Sequence, residues 1–383
     1  MDGRAEPATG APPVAAVPVH RVDFDRSLVC LLGLPFDAID VNKAVERIRA
    51  DAFAGRRCWV STPNLNFAMA ALSDTAFRDS VLRSDLSLID GMPLVWIARL
   101  LGVPVPGRVA GSDLFEALQS HPGPPLDVYL FGGPPGAAPL ACENMNRRGG
   151  GVRCVGFHEP GFGSIETMSS DETISGINRS NAHFVLVSLG AKKGQAWIER
   201  NAGRLTTPVL SHLGAVLNFS AGTVRRASPW LRKSGLEWLW RIKEEPTLWR
   251  RYGGDGIQAA RLLFTRVLPS VLDTERGLRG RAASAALELK RTQSANTLHL
   301  QGAWLAGTET SLREALSRCA SDDVRVTIDL SGVTTLAGPA VALLLQARGW
   351  FEARRGYQVI GVHAPLAKRL RRMLVDRALL ESR

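Results

Sequence analysis

Cysteine is scarce in this sequence, and its spacing suggests neither a metal site nor a network of cross-links. The chain has 383 residues and five cysteines, which are scattered, odd in number and free of CxxC spacing. This pattern argues against a disulfide framework or a zinc site and is typical of a reducing cytoplasm. The five are Cys30, Cys58, Cys142, Cys154 and Cys319.

Long apolar runs are also missing. No stretch approaches the roughly 18 consecutive apolar residues that a membrane-spanning helix needs. Residues 1–27 are rich in Ala, Pro and Gly and contain no apolar core of the signal-peptide type. We therefore expect a disordered tail there.

Positive charge is in excess. Lys and Arg number 47 against 36 Asp and Glu, which gives a formal net charge of +11. Such a balance favours an anionic partner, which can be nucleic acid, a phosphorylated ligand or an anionic membrane surface. The length allows two or three domains.

Apolar runs alternate with helical patterns from residue 28 onward. Five runs predict buried strands that end in polar loops, at 58–64, 85–91, 127–133, 182–190 and 208–214. Helical patterns over 65–83, 92–102 and 136–148 lie between them. This alternation predicts an α/β fold, with a Rossmann-like, mostly parallel sheet covered by helices on both faces. Ligands of such sheets bind at the carboxyl ends of the strands. The polar residues expected there are Thr62, Asn64, Asp90, Gly132, Gly133, Lys192, Lys193, Gln195 and Asn218.

The pattern changes after residue 252. A GGDG breaker at 253–256 is followed by a basic helical stretch and then by a second, smaller α/β pattern with strands near 296–302, 324–333 and 358–362. Helices are expected near 309–320 and 338–353. The predicted segments are a tail (1–27), a core (28–225), a basic tail (226–256), a helical linker (257–284) and a C-terminal domain (285–383).

The segment "GLEWLWRIKEEPTLWRRY" (235–252) combines tryptophans with arginines. On a helical wheel Leu236, Trp238, Leu239, Trp240 and Ile242 share one apolar face. Trp and Tyr suit a membrane interface and Arg suits phosphate, so the segment is typical of an interfacial element. A core helix that buries its tryptophans is the alternative.

Five motifs, in order, give residues 28–252 a family resemblance. They are "LGLPFDAIDVNKAVERI", "STPNLNFAMAAL", "LSLIDGMPLVWIARLLGVPVPGRVAGSDLF", "YLFGGPPGAA" and "GTVRRASPWLRKSGLEWLWRIKEEPTLWRRY". The segment resembles the WecG/TagA/CpsF family of bacterial glycosyltransferases. The resemblance implies inverting transfer of a sugar from a UDP-sugar to a polyprenyl-diphosphate-linked sugar on the inner membrane face. It also implies that no metal-binding D-x-D is used, so we interpret the "DFD" at 23–25 as a chance match.

The resemblance assigns roles to three residues at the strand ends. Asp90 matches the proposed catalytic base, which takes the proton of the acceptor hydroxyl. Thr62 and Asn64 match the T-x-N of the family and would line the sugar and acceptor pocket. The alternatives are that Asp90 caps the next helix and that Thr62 and Asn64 serve the turn around Pro63.

Binding roles follow for a second group. Arg108 belongs to the R-x-x-G-S-D element, in which Asp113 could instead cap a helix that starts at Leu114. Gly132 and Gly133 open a turn that leads to a helix N-terminus, a favourable place for the phosphates of UDP. Further substrate or nucleotide contacts are expected from Gly190, Lys193, Gln195 and Asn218.

Two of these positions depart from the family pattern. In "GAKKGQ" (190–195), Gly194 stands where the family has a glutamine that is thought to contact the substrate, and a one-residue slip would let Gln195 replace it. Asn218 stands where Asp is usual. The basic tail would bring Arg226, Arg241, Arg250 and Arg251 to the diphosphate or the membrane. No cofactor is expected beyond the UDP-sugar donor, and no metal.

Residues 285–383 resemble a STAS domain, the anti-sigma-antagonist fold. The resemblance rests on the stretch "VRVTIDLSGVTTLAGPAVALLLQARGWFEARRGYQVIGV". Gly338 replaces the serine that many such domains phosphorylate, which excludes a phosphoswitch at that position. The resemblance favours a docking or dimerisation module, with possible self-association or a protein partner.

Three functional hypotheses follow. The first is a metal-independent glycosyltransferase, peripheral on the inner face of the cytoplasmic membrane, for exopolysaccharide or cell-wall polymer synthesis. The second is a catalytically impaired relative that acts as a STAS-linked scaffold or regulator of the same pathway. Nucleic-acid binding is suggested by charge alone, and no recognised motif supports it.

Overall fold

The computed structural model describes residues 16–224, 227, 228, 230, 231, 240, 243, 260–269 and 284–380. In the first part of the chain the strands are β1 (Leu28–Leu31), β2 (Leu34–Asp37), β3 (Cys58–Ser61), β4 (Leu86–Ser87), β5 (Leu126–Gly132), β6 (Val152–His158), β7 (Phe184–Ser188) and β8 (Val209–His212). The helices are α1 (Val41–Phe53), α2 (Leu65–Ser73), α3 (Thr75–Leu82), α4 (Met92–Leu100), α5 (Gly111–Gln119), α6 (Ala137–Arg148), α7 (Asp171–Arg179), α8 (Ala191–Asn201) and α9 (Gly214–Ala221).

A parallel sheet forms the centre of this first domain. Within the described residues it has six strands, in the order β4-β3-β8-β7-β5-β6. Alternate residues of β5 enter two different cores: Val128 and Leu130 pack toward α1, α5, α6 and α9, whereas Tyr129 and Phe131 pack toward α7 and α8. Helices therefore cover both faces, which confirms the predicted fold class.

The five predicted strands are present, and each is shorter than or shifted slightly from its predicted run. Two features were not predicted: the antiparallel hairpin of β1 and β2, and the edge strand β6, in which only Val152 and Cys154 are fully buried. The single helix predicted over 65–83 is in fact two helices. It is interrupted at Asp74, whose carboxylate accepts a hydrogen bond from the Phe77 N–H at 3.0 Å and so caps α3.

The prediction of a disordered tail is wrong for the residues just before β1. Phe24 is 1% exposed, and its ring stacks on that of Phe351, with 6.2 Å between centroids. Arg26 forms a buried ion pair with Asp37, in which its Nε and Nη2 donate to the two carboxylate oxygens at 2.9 and 2.6 Å. These partners lie far along the chain or in another element, so local composition does not reveal them. Residues 1–15 lie outside the described part.

One pair of cysteines departs from the sequence expectation. Cys142 of α6 and Cys154 of β6 are joined by a disulfide, because the helix and the strand that follows it pack against each other. Cys30, Cys58 and Cys319 are buried free thiols. Burial raises the pKa of the Cys30 thiol to about 12, so this thiol stays protonated.

The C-terminal domain is a second α/β unit. Its strands are β9 (Ala286–Arg291), β10 (Ala295–Trp304), β11 (Arg325–Leu336) and β12 (Tyr357–Ile360), and its helices are α10 (Thr310–Ala320), α11 (Gly338–Phe351), α12 (Ala364–Arg372) and α13 (Asp376–Leu380). The described strands form a mixed sheet in the order β12-β11-β10-β9, in which only β9 is antiparallel to its neighbour.

Helix α11 joins the two domains. It packs against β1, β2 and α3, and its residues from Ala340 to Gly349 are buried. A Cβ added to Gly349 would lie 2.2 Å from the carbonyl oxygen of Leu82 in α3, so the absence of a side chain permits this approach. The two domains share one hydrophobic core. A docking or dimerisation role would therefore have to use a surface other than α11, because the chain itself covers this helix.

Candidate active site

Asp90 lies at the carboxyl edge of the main sheet, beside the end of β3. Its N–H donates to the carbonyl oxygen of Pro63 at 3.0 Å, and the Leu88 N–H donates to that of Ser61 at 2.9 Å. The side chain of Asp90 is partly buried. Helix α4 takes Gly91 as its N-cap, with φ of +111° and no side-chain cap hydrogen bond. Asp90 therefore stands one position before the N-cap of α4.

Thr62 and the R-x-x-G-S-D element meet at the same edge. The Val109 N–H donates to the Ile89 carbonyl oxygen at 2.8 Å, which holds the element next to Asp90. A Cβ on Gly111 would lie 3.3 Å from Thr62 Oγ1 and 2.6 Å from Leu213 Cδ2, so the start of α5 packs closely against both side chains. Sequence positions that are far apart thus converge here.

Arg108 is held by an ion pair with Asp113. Helix α5 begins at Gly111 with Ala110 as its N-cap, so the alternative that Asp113 caps a helix starting at Leu114 is wrong. Asp113 lies within the first helical turn and fixes the guanidinium of Arg108 near the carboxyl edge of the main sheet, which we call the rim.

Asn64 has a structural task in addition to any role in the pocket. It is the N-cap of α2, and its Oδ1 accepts a hydrogen bond from the Phe67 N–H at 3.0 Å. A Cβ on Gly91 would lie 3.9 Å from the Cβ of Asn64, so this cap is adjacent to the residue that follows Asp90.

The sheet has its switch point between β5 and β7. The connection after β5 leads to β6 on one side and that after β7 leads to β8 on the other, and in open α/β sheets such a switch point forms the crevice where ligands bind. Gly132 and Gly133, with φ of +95° and +96°, line it. A Cβ on Gly132 would lie 2.6 Å from the Ser188 carbonyl oxygen, and the Gly133 N–H donates to that oxygen at 2.9 Å.

The N-terminus of α6, which follows this glycine turn, already holds an anion. The Glu159 carboxylate accepts from the N–H groups of Gly136 and Ala138 at 2.9 and 2.8 Å. A phosphate at this helix end would have to displace that carboxylate, so the predicted contact of the turn with UDP is better placed at the crevice than at the N-terminus of α6.

The "GAKKGQ" loop forms the start of α8. Gly190 is its exposed N-cap, and Lys193 Nζ donates to the Gly163 carbonyl oxygen. Gln195, by contrast, is 1% exposed: its Oε1 accepts from Trp59 Nε1 at 2.9 Å and its Nε2 donates to Ser61 Oγ at 2.6 Å. These bonds tie α8 to β3. Gln195 therefore faces the interior, and a slip that lets it replace the glutamine of the family is not supported.

Two further side chains lie at this edge: Asn218, which the sequence predicted, and His212, which it did not. In the described part of the structure, Asn218 Oδ1 on α9 and His212 Nε2 at the end of β8 are buried without a hydrogen-bond partner. Burial lowers the pKa of His212 to about 4. The sequence "SHLG" places a histidine at the end of a strand, but the burial of this histidine depends on neighbours that are remote in sequence and so could not be predicted.

The four arginines predicted for the diphosphate or the membrane, Arg226, Arg241, Arg250 and Arg251, lie outside the described residues. Of their neighbours, Trp230 is 68% exposed and Lys243 Nζ lies 5.3 Å from the centroid of the Trp240 ring. Among the described helices, none combines the length and the hydropathy of a membrane span.

Asp23 of the "DFD" triplet forms an ion pair with Arg47 at 2.7 Å, which gives it a structural partner far from the rim. No group of three or more His, Cys, Asp or Glu side chains among the described residues could hold a metal ion. A cleft of about 240 Å³ at the domain junction, lined by Gly33, Arg78 and Arg377 among others, contains none of the candidate residues.

Comparison with known proteins finds a matching family model for each of the two domains. The model of the Glycosyl transferase WecG/TagA/CpsF family matches residues 29–271, and that of the Mlab, STAS domain family matches residues 287–381. Three curated relatives carry the name N-acetylglucosaminyldiphosphoundecaprenol N-acetyl-beta-D-mannosaminyltransferase. The protein of Bacillus spizizenii is 24% identical over 61% of this chain and 85% of its own length. That of Bacillus subtilis is 25% identical over 50% and 73%, and that of Staphylococcus aureus 24% over 59% and 87%.

Proposed function

Because the chain belongs to the WecG/TagA/CpsF family of glycosyltransferases, we propose that it moves a sugar from a UDP-sugar to a polyprenyl-diphosphate-linked glycan. The names of the relatives describe transfer of N-acetylmannosamine to such a lipid-linked acceptor. A hexosyl or N-acetylhexosaminyl transfer in exopolysaccharide or cell-wall polymer synthesis is the corresponding activity here.

The observation that carries the proposal is the convergence at the carboxyl edge of the sheet. Asp90, Thr62 and the Arg108 element come from three separate segments and are joined by backbone hydrogen bonds and by the packing of Gly111. A carboxylate, a hydroxyl and a guanidinium at one edge of the sheet are suited to transfer onto an alcohol with an anionic leaving group.

In the proposed reaction, Asp90 accepts the proton of the acceptor hydroxyl. The hydroxyl oxygen then forms a bond to the anomeric carbon from the face opposite UDP. The bond from that carbon to the phosphate oxygen breaks, and its electron pair leaves with UDP, so the anomeric configuration inverts. Thr62 would orient a sugar hydroxyl, and Asn64 would act as a positioning residue through its cap on α2.

The charge of the departing UDP needs stabilisation. We assign this to cationic side chains: Arg108 at the rim and, from the tail, Arg226, Arg241, Arg250 and Arg251. This role makes the transfer independent of metal, so turnover should be unchanged in EDTA; loss of turnover in EDTA that added Mg²⁺ restores would refute metal independence.

The tail also supports a peripheral location on the inner face of the cytoplasmic membrane. Exposed Trp230 and the paired Lys243 and Trp240 fit an anionic interface, where each basic residue contributes about 1 kcal/mol. Co-sedimentation with vesicles containing anionic lipid should exceed that with neutral vesicles. We assign the STAS-like domain a bracing role through α11, because this helix is buried against the transferase domain.

A turnover screen tests the function. The full chain is incubated with a polyprenyl-diphosphate-linked sugar and each of a set of UDP-sugars, and the lipid product is analysed by mass spectrometry. One donor should extend the acceptor by one sugar with release of UDP. Absence of product with every donor would contradict the proposal.

One observation favours the scaffold hypothesis. The "GAKKGQ" loop offers no side chain at Gly194 and turns Gln195 inward, so a substrate contact expected from the family is missing. UDP binding without turnover would support this alternative, whereas turnover would exclude it.

A further inference from the structure

A buried nitrogen without a protein partner lies at the middle of the rim. His212 ends β8, which lies between β3, the strand leading to Thr62, and β7, the strand leading to Gly190. Its Nε2 is enclosed and has no hydrogen-bond partner in the described part of the structure. Buried polar atoms in proteins are nearly always paired, so an unpaired one at a candidate ligand-binding edge is a candidate contact for a ligand.

Two glycines leave the space that the imidazole of His212 occupies. A Cβ on Gly194, in the first turn of α8, would lie 2.3 Å from His212 Cδ2, and a Cβ on Gly214, the first residue of α9, would lie 3.2 Å from Nε2. The ring therefore lies between the N-terminal turns of two helices, in space that side chains at these positions would fill. The position that breaks the family pattern is the one that admits the ring.

The imidazole is neutral at physiological pH. Burial lowers the pKa of His212 to about 4, and the partial positive charge of the two helix N-termini acts in the same direction. A neutral imidazole presents one donor and one acceptor nitrogen. It can therefore pair with an oxygen or a hydroxyl of a ligand without carrying a charge of its own.

A second unpaired atom lies on the neighbouring helix. Asn218 is one helical turn after Gly214 on α9, and its Oδ1 is also buried without a partner among the described residues. Two unsatisfied polar atoms on β8 and α9, between the Asp90 side of the rim and the crevice at Gly133, fit a ligand with several polar groups that runs along the rim. A nucleoside diphosphate has this shape and chemistry.

We infer that His212 is a donor-binding residue of this chain, which pairs through Nε2 with the UDP portion of the sugar donor. The inference rests on the proposed function.

Isothermal titration of the full chain with UDP tests this assignment. His212→Leu keeps the approximate size of the side chain and removes both nitrogens, so the Kd for UDP should rise about 3- to 10-fold, the range for one neutral hydrogen bond. His212→Gln places an amide near the position of Nε2 and should stay within about 2-fold of wild type. His212→Asn reaches only the position of Nδ1 and should resemble the leucine variant.

A stability measurement separates binding from packing. Removing an unpaired buried polar atom should leave the Tm of His212→Leu equal to or above that of wild type, even though UDP binds more weakly. His183→Leu is the matched control, because His183 lies at the opposite, amino end of the sheet, where its Nδ1 accepts from the Asp127 N–H at 3.0 Å. This control can lose stability, but its Kd for UDP should be unchanged.

The outcomes are distinct. If wild type binds no UDP, the proposed function fails. If wild type binds UDP and His212→Leu binds it equally well, the assignment of His212 is overturned while the function stands. An equal loss in His212→Gln and His212→Leu would likewise overturn the assignment to Nε2. Should the leucine variant not fold, the comparison of the glutamine and asparagine variants decides.

Discussion

The joint between the two domains can be tested at a single glycine. A Cβ added to Gly349 would lie 2.2 Å from the carbonyl oxygen and 2.5 Å from the carbonyl carbon of Leu82, and real Cβ atoms essentially never come within 3.0 Å. Because these are backbone atoms of α3, they cannot rotate away as a side chain could, and α11 and α3 would have to move apart. Overpacking of this kind costs about 1–3 kcal/mol, against a gain of at most about 1 kcal/mol from replacing a helical glycine by alanine.

We therefore expect Gly349→Ala to lower the free energy of unfolding by about 1–2 kcal/mol. Urea denaturation followed by circular dichroism gives this as a lower midpoint at unchanged m-value. Gly338→Ala is the matched control in the same helix, since its Cβ would lie 3.9 Å from the nearest atom, the backbone nitrogen of Cys30. Its stability should be unchanged or higher. If Gly349→Ala is as stable as Gly338→Ala, then α11 does not pack on α3 as described.

Three further predictions concern charge. Asp37→Asn leaves Arg26 as a buried charge without its carboxylate partner and should destabilise the protein by about 3–5 kcal/mol in urea denaturation. The control Glu143→Gln removes an exposed ion pair and should cost less than about 1 kcal/mol. Equal losses of stability in the two variants would contradict the importance of the buried pair. The pKa of His212 is lowered to about 4, so the unfolded chain takes up a proton that the folded chain does not, and stability should fall as the pH drops from about 6.5 toward 4. His212→Leu should weaken this pH dependence, and an unchanged slope would refute it. Glu159→Gln removes a carboxylate from the N-terminus of α6 and should cost about 0.5–1 kcal/mol by urea denaturation, with a loss that shrinks at high salt; no loss would refute the charge interaction.

The strands and the edge that carries the candidate site could be predicted because their signal is local. A strand buried on both faces reads as a continuous apolar run, and the polar residue after it marks the carboxyl end. Asp90 and Thr62 were found in this way. The hairpin of β1 and β2 and the burial of Phe24 were not, because their partner is α11, more than 300 residues further along the chain.

The same reasoning explains the errors within the site. Gln195 follows a strand end and so was assigned to the pocket, but α8 turns it toward Trp59 and Ser61. His212 also stands at a strand end, and its enclosure depends on Gly194, a residue whose missing side chain is informative only once the ring beside it is known. Side-chain direction and long-range packing were the parts that the sequence did not reveal.

The central claim is that Asp90 removes the proton of the acceptor hydroxyl. The most direct measurement is the turnover of Asp90→Asn with UDP-sugar and lipid-diphosphate acceptor, together with the Kd for UDP of the same variant. Asp40→Asn is the matched control, because Asp40 is an exposed helix cap and asparagine caps equally well. The account predicts that Asp90→Asn loses at least about 100-fold in turnover with UDP affinity within about 2-fold of wild type, while Asp40→Asn retains full activity. Wild-type turnover in Asp90→Asn would contradict it.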